Sequence, residues 1–136
     1  MELELLHSVQ VLAAGVLGGI IGWQRERKGK PAGLRTHALT AMTAALVTLL
    51  SKEGFPGADP ARLIAGMVAG VGFLGAGTVL KTEIGVVGLT TAASILFVTG
   101  IGIAVGTGFY TLATLSTLFG FLLLEMKTLE RRLHEK

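Results

Sequence analysis

Residues 84–124 read IGVVGLTTAASILFVTGIGIAVGTGFYTLATLSTLFGFLLL, 41 residues without one charged side chain. A helix rises about 1.5 Å per residue and the hydrocarbon core of a bilayer is about 30 Å thick, so one crossing takes roughly 20 residues. This run has twice the length of one crossing and must fold back. The break is expected at Gly106-Thr107-Gly108, where glycine permits the turn. Two spans result, 86–105 and 109–124.

Toward the N-terminus the same arithmetic repeats. Glu4 and Arg25 enclose 20 uncharged residues, Arg35 and Lys52 enclose 16, and Arg62 and Lys81 enclose 18. These runs predict spans at 5–23, 36–51 and 63–80. The segment 36–51 is the shortest and carries Thr36, His37, Thr40, Thr43 and Thr48. It spans if Arg35 snorkels to the interface, and is otherwise a re-entrant or interfacial helix. The expected fold is therefore all-α, a polytopic membrane bundle of five transmembrane helices in a single domain over residues 1–136.

Composition agrees. The 136 residues include no cysteine, and 15% are charged against about 25% in soluble domains. Twenty glycines against three prolines suit closely packed membrane helices. The net charge of +3 does not signal nucleic acid, because the charges flank apolar runs and form no basic face interleaved with aromatics.

Basic residues set the orientation. The first loop holds Arg25, Arg27, Lys28, Lys30 and Arg35, the third holds Lys81, and the tail holds Lys127, Arg131, Arg132 and Lys136. Only Lys52 and Arg62 lie in the second loop. Ten of the twelve thus fall on one side, which the positive-inside rule places in the cytoplasm. The N-terminus is expected outside and the C-terminus inside. Acidic Glu2 and Glu4 precede the first apolar run and the basic cluster follows it, the pattern of a retained span and not of a cleaved signal. In the tail, 125–136, Met126, Leu129 and Leu133 repeat on one helical face, so the last helix is expected to continue into the cytoplasm.

Glycines recur four apart as Gly15/Gly19, Gly18/Gly22, Gly66/Gly70 and Gly102/Gly106. Small residues on one face let helix backbones approach closely. They either pack one bundle internally or, on the first span around Gly18, form a homodimer seam. Gly70-Val71-Gly72-Phe73-Leu74-Gly75 matches the dinucleotide fingerprint, but it lies inside an apolar span and no acidic residue follows near position 95. No nucleotide and no other cofactor is expected. Gly70, Gly72, Gly75 and Gly77 are instead candidate pore or packing glycines, where the helix packs closely or unwinds to offer carbonyls to a cation.

No catalytic constellation is visible. His7, His37 and His134 lie in different regions, and Ser51, Ser94 and Ser116 have no evident histidine and carboxylate partners. The chain is not expected to be an enzyme, and no metal-ligand set is assigned. The densest polar signal runs from Arg25-Glu26-Arg27 to Arg35-Thr36-His37, with Pro31 and Gly33 making a turn. Glu26 and Arg35 sit near the ends of adjacent spans, where opposite charges can pair. Boundary charges that face a bundle interior often mark an ion path or gate. Arg25, Glu26, Arg35, Thr36, His37, Asp59 and Arg62 form the candidate functional cluster. Thr78, Thr90, Thr91 and Ser94 are candidate interior hydroxyls, although such threonines often bond back to their own helix. An anion site built from Arg25, Arg35 and nearby helix N-termini is a further option.

Three blocks resemble the membrane domain of the MgtC/SapB family. They are Gly22-Trp23-Gln24-Arg25-Glu26-Arg27 with Lys30-Pro31-Ala32-Gly33-Leu34-Arg35-Thr36-His37; Asp59-Pro60-Ala61-Arg62 with Gly70 to Thr78; and Gly88-Leu89-Thr90-Thr91-Ala92-Ala93-Ser94 with Gly102 to Gly106 and Gly108-Phe109-Tyr110. The resemblance implies a multi-pass protein of the bacterial inner (plasma) membrane, tied to magnesium homeostasis. Gln24 and Gly66 depart from the family pattern, which usually has glutamate and commonly glutamine there. The soluble C-terminal domain of virulence-associated members is not expected, because the chain ends after the fifth span.

Two functions follow as expectations. The first is a small membrane protein that modulates magnesium or ion homeostasis through another membrane complex or as a homo-oligomer, with a dimer favoured. The second is a dimeric transporter or channel that itself moves a cation or other small solute.

Overall fold

The computed structural model describes residues 1–83 and 85–134, with side chains as far as Met126. The described residues form five helices: α1 (Glu2–Arg27), α2 (Leu34–Glu53), α3 (Pro60–Ala76), α4 (Leu89–Thr107) and α5 (Tyr110–His134). A two-stranded antiparallel hairpin, β1 (Leu80–Thr82) and β2 (Gly85–Val87), joins α3 to α4.

Successive helices alternate in direction. Gly15 of α1 faces Met42 of α2 while Gly22 faces Gly33 and Leu34, so the two are antiparallel. His37 lies opposite Ser94, and Thr48 beside Gly106, so α2 and α4 run together. Gln10 reaches Tyr110 and Gln24 reaches Leu124, which aligns α5 with α1.

The central helix is α2, the segment with the weakest sequence signal. Its buried residues include Ala41, Ala44, Ala45 and Thr48, small enough for α1 and α4 to close on it from two sides. Its hydroxyls are satisfied within the helix. Thr40 donates to the Thr36 carbonyl and Thr48 to the Ala44 carbonyl, each at 2.7 Å. It is continuous for 20 residues, about 30 Å at 1.5 Å per residue. Ile21, Val98, Ile101, Val105 and Ala113 complete the core.

Among the described residues, α1 and α4 are long and apolar enough to cross a membrane, while α3 and Tyr110–Met126 are shorter apolar helices. Large apolar side chains such as Leu12, Val16, Leu46, Leu96 and Phe119 point outward and are exposed.

The structure corrects the expected spans where the chain passes from the third to the fourth. The span expected at 63–80 is helical only from Pro60 to Ala76, and the one expected from 86 begins at Leu89. The residues between are the hairpin, so the fold is not purely α. Gly85 (φ 128°) and Gly88 (φ 90°) adopt backbone angles that a right-handed helix excludes. Gly88 also packs directly on the Thr78 carbonyl, where a side chain has no room. The flanking Val79, Val86 and Val87 are β-branched and suit strands. The turn expected at Gly106-Thr107-Gly108 forms there: α4 ends at Thr107 and Gly108 takes φ 89°.

The glycine expectations separate. Gly15, Gly18, Gly19 and Gly22 pack against α2, as do Gly102 and Gly106. A Cβ on Gly18 would stand 2.5 Å from Ala41 Cβ and 2.7 Å from the His37 carbonyl. Gly18 is therefore internal, and a homodimer seam there is ruled out by what already occupies it. Gly66, Gly70 and Gly72 meet nothing within 4 Å. The segment 70–75 is unbroken helix, so it neither unwinds nor forms the strand-turn-helix of a nucleotide fingerprint. The apolar stripe beyond Met126 lies outside the described side chains, although the helix backbone continues to His134.

Candidate functional site

One end of the bundle gathers the C-terminus of α1 and the N-termini of α2 and α4. Helical periodicity puts Ala14, Gly18, Ile21 and Arg25 on the buried face of α1. Arg25 is thereby carried inside and is only 5% exposed. Its Nη2 donates to Thr91 Oγ1 at 3.1 Å, across from α4. Its Nε is buried without a partner.

His37, fully buried, occupies the first turns of α2. Its Nδ1 lies 2.8 Å from the Gly33 carbonyl, and its Nε2 lies 2.9 Å from Ser94 Oγ. A carbonyl only accepts, so Nδ1 carries a proton; in the neutral ring Nε2 then accepts from the Ser94 hydroxyl. That hydroxyl also lies 2.8 Å from the Thr91 carbonyl, so its single proton has two competing acceptors. Arg25, Thr91, Ser94 and His37 thus form one buried chain across α1, α4 and α2.

A second polar group borders the first. Gln24, 1% exposed, donates to the Leu124 carbonyl (3.2 Å) and to Glu125 Oε1 (3.1 Å). Lys28 Nζ pairs with Glu125 Oε2 at 2.9 Å. The hydrogen bonds from Lys28 and then Gln24, with the charge of Lys28, hold the Glu125 carboxyl below the usual carboxylate range.

The structure brings together four of the predicted residues, Arg25, His37, Thr91 and Ser94. The others go elsewhere. Glu26 does not pair with Arg35. Its Oε2 accepts from Leu34 N at 2.7 Å and caps the uncapped start of α2, where the helix dipole favours negative charge. Arg35 and Thr36 are exposed, and Arg35 lines a separate groove with Trp23 on the outer side of α1 and α2. The anion site expected from Arg25 with Arg35 is therefore not assembled. Asp59 and Arg62 belong to the opposite end, because α3 runs antiparallel to α2 from there; Asp59 caps α3 by accepting from Ala61 N at 2.9 Å. Gly70 and Gly72 face open space, Gly75 packs on Ala92, and Gly77 is exposed at the helix end. Thr78 bonds back to Gly75, and Thr90 is exposed.

Sequence reasoning missed Gln10, Gln24 and Glu125 as contact-making groups. Gln10, at the far end, donates to the Tyr110 hydroxyl at 2.6 Å. The signal was present: Gln10 and Gln24 are 14 residues apart, about four helical turns, and so share one face. Among the described residues no three His, Cys, Asp or Glu side chains stand close enough to hold a metal ion. The site is a fixed positive charge surrounded by neutral hydrogen-bonding groups.

Comparison with known proteins gives consistent relatives. The family model described as MgtC family matches residues 11–133. YhiD of Escherichia coli K12, proposed by name to be a magnesium transporter, is 41% identical over 126 residues, covering 87% of this chain and 59% of YhiD. Protein SapB of Bacillus subtilis 168 is 42% identical over 115 residues, covering 78% of this chain and 50% of SapB. Protein MgtC of Brucella abortus 2308 is 39% identical over 116 residues, covering 85% of this chain and 49% of that protein. The chain spans about half the length of the curated relatives it matches. No solved structure matches it.

Proposed function

The chain belongs to the MgtC family, and on that premise we propose that it is a multi-pass protein of the bacterial inner membrane that modulates magnesium or ion homeostasis. It acts through a membrane partner or as a homo-oligomer and catalyses no reaction. The outward apolar side chains support residence in lipid, since such a surface would drive aggregation in water. The names of the relatives support the link to magnesium.

The observation that carries modulation over direct cation transport is the sign of the buried charge. Among the described residues the buried charged side chain is Arg25, and the buried polar residues beside it are neutral. A divalent cation about 6 Å from a guanidinium is repelled by roughly 5 kcal/mol at an effective dielectric constant of about 20. An interior built on Arg25, His37, Thr91 and Ser94 is poorly suited to conduct magnesium.

Proteoliposomes with an enclosed magnesium dye test this. The expected result is no uptake above empty vesicles, together with a discrete cross-linked complex from native membranes. Magnesium uptake that vanishes in Glu26→Gln or Arg35→Ala would overturn modulation in favour of transport. One observation favours that second reading: among the described residues nothing lies within 4 Å of a Cβ on Gly66, Gly70 or Gly72 of α3, and Phe73 beside them is 83% exposed. A second copy seated there would line a path between protomers.

A further inference from the structure

Between the hairpin, the start of α4 and the neighbouring stretch of α5 lies a cavity of about 700 Å³. Its polar lining is Arg25, Lys30, Thr90, Thr91 and Ser94, and its apolar lining includes Phe97 and Leu123, which are exposed along the outside of the bundle. No carboxylate is among its described lining residues.

Three features converge on a negative ligand. The first is Arg25, 95% removed from solvent yet using one of its five N–H donors, with Nε unpartnered. A buried guanidinium without a counter-charge is costly, and an incoming anion relieves that cost. The second is the N-terminus of α4, a 19-residue helix without a side-chain cap. Its first amides have no intrahelical acceptor, and the helix dipole adds positive potential. The third is Lys30, an exposed second positive charge lining the same cavity.

We propose that this cavity binds the phosphate of an anionic membrane phospholipid, with Arg25, Lys30 and the start of α4 on the headgroup and the Phe97–Leu123 wall against an acyl chain. The proposal rests on the membrane reading above. Free phosphate offers the same charge, but it would leave the apolar wall uncovered. Leu80 and Val86 of the hairpin, 62% and 53% exposed at the same end, fit the boundary between headgroups and acyl chains.

The test is titration of the full chain in neutral detergent with phosphatidylglycerol, phosphatidylcholine and inorganic phosphate, read by native mass spectrometry. Phosphatidylglycerol should bind saturably and phosphatidylcholine should not. Thr90→Glu puts a carboxylate at the second residue of α4, a position helices favour, so folding is preserved. It should weaken phosphatidylglycerol binding roughly tenfold, as a like charge in a partly buried site would. Lys30→Gln, at an exposed position, should weaken it by a smaller factor. Equal binding of the two lipids, or unchanged binding in both variants, overturns the proposal. Binding of inorganic phosphate that phosphatidylglycerol does not displace overturns the lipid assignment. Carbonate extraction of membranes reads the membrane premise separately, so a chain that resists extraction but fails to select phosphatidylglycerol sinks only this site.

Discussion

Gly102→Ala should loosen the α2–α4 contact on which the bundle is built. A Cβ at Gly102 would overlap the Ala41 carbonyl oxygen and stand 2.6 Å from Ala44 Cβ, against 3.4 Å for ordinary contact. The Ala44 contact alone requires the two helices to separate by about 0.8 Å, and the overlap with the Ala41 carbonyl requires more. Overpacking of this kind costs about 1–3 kcal/mol. Alanine also gains about 1 kcal/mol over glycine in helix propensity, which would mask part of the loss. Gly100→Ala removes that ambiguity. Gly100 lies on the same helix, is exposed and has nothing within 4 Å. The propensity gain is common to both variants, so their difference reads packing alone. At roughly 4 °C per kcal/mol for a chain of this size, Gly102→Ala should melt about 4–12 °C below Gly100→Ala. The assay is thermal unfolding in one detergent, followed by circular dichroism. Equal melting temperatures, or a more stable Gly102→Ala, would refute the close approach of α4 to α2.

Ser94→Ala leaves the buried His37 Nε2 without its partner and should cost about 1–3 kcal/mol, measured by the same unfolding assay. Asp59→Ala removes the cap of α3 and should cost about 1 kcal/mol, seen as faster amide exchange confined to the first turn of that helix. The Glu125 carboxyl is depressed in the folded state, so its contribution is present above the ordinary carboxylate range and lost as pH falls through the folded value. Acidification should therefore lower the melting temperature of the parent more than that of Glu125→Gln. On the proposed multi-pass reading with the basic loops in the cytoplasm, a reporter fused after Gly57 should read as external and one fused after Thr82 as cytoplasmic, since helices α1 to α3 alternate in direction.

The number of helices and the turn at Gly108 were legible because both follow from one-dimensional quantities. Charge spacing measures span length, and glycine marks where a helix stops. The hairpin was not legible, because Lys81 and Glu83 mark only a charged break between two apolar runs, and hydropathy does not distinguish extended from helical backbone in Val79, Val86 and Val87 on either side of it. Part of the site was legible too. Arg25 and His37 stood out as polar residues at span ends, and Thr91 and Ser94 as hydroxyls within a span. The Glu26–Arg35 pairing was misjudged because both residues sit at helix ends. There the unsatisfied amide of Leu34 competes for the carboxylate, and the short loop places that amide nearer than the guanidinium.

By itself the sequence determined that the chain forms several apolar helices, where they turn, and which loops are basic. Those properties depend on residues close together along the chain. Only the tertiary structure decided which glycines are used. Gly18, Gly66 and Gly102 have the same four-residue spacing to a second glycine, yet Gly18 and Gly102 close on α2 and Gly66 meets nothing. The distinction lies in the order of helices around the bundle and the rotation of each about its axis. The same placement turned Arg25 inward onto Thr91 and left Arg35, ten residues on, facing outward. A helical period fixes which residues share a face, but which neighbour that face meets is set by packing between segments far apart in the chain.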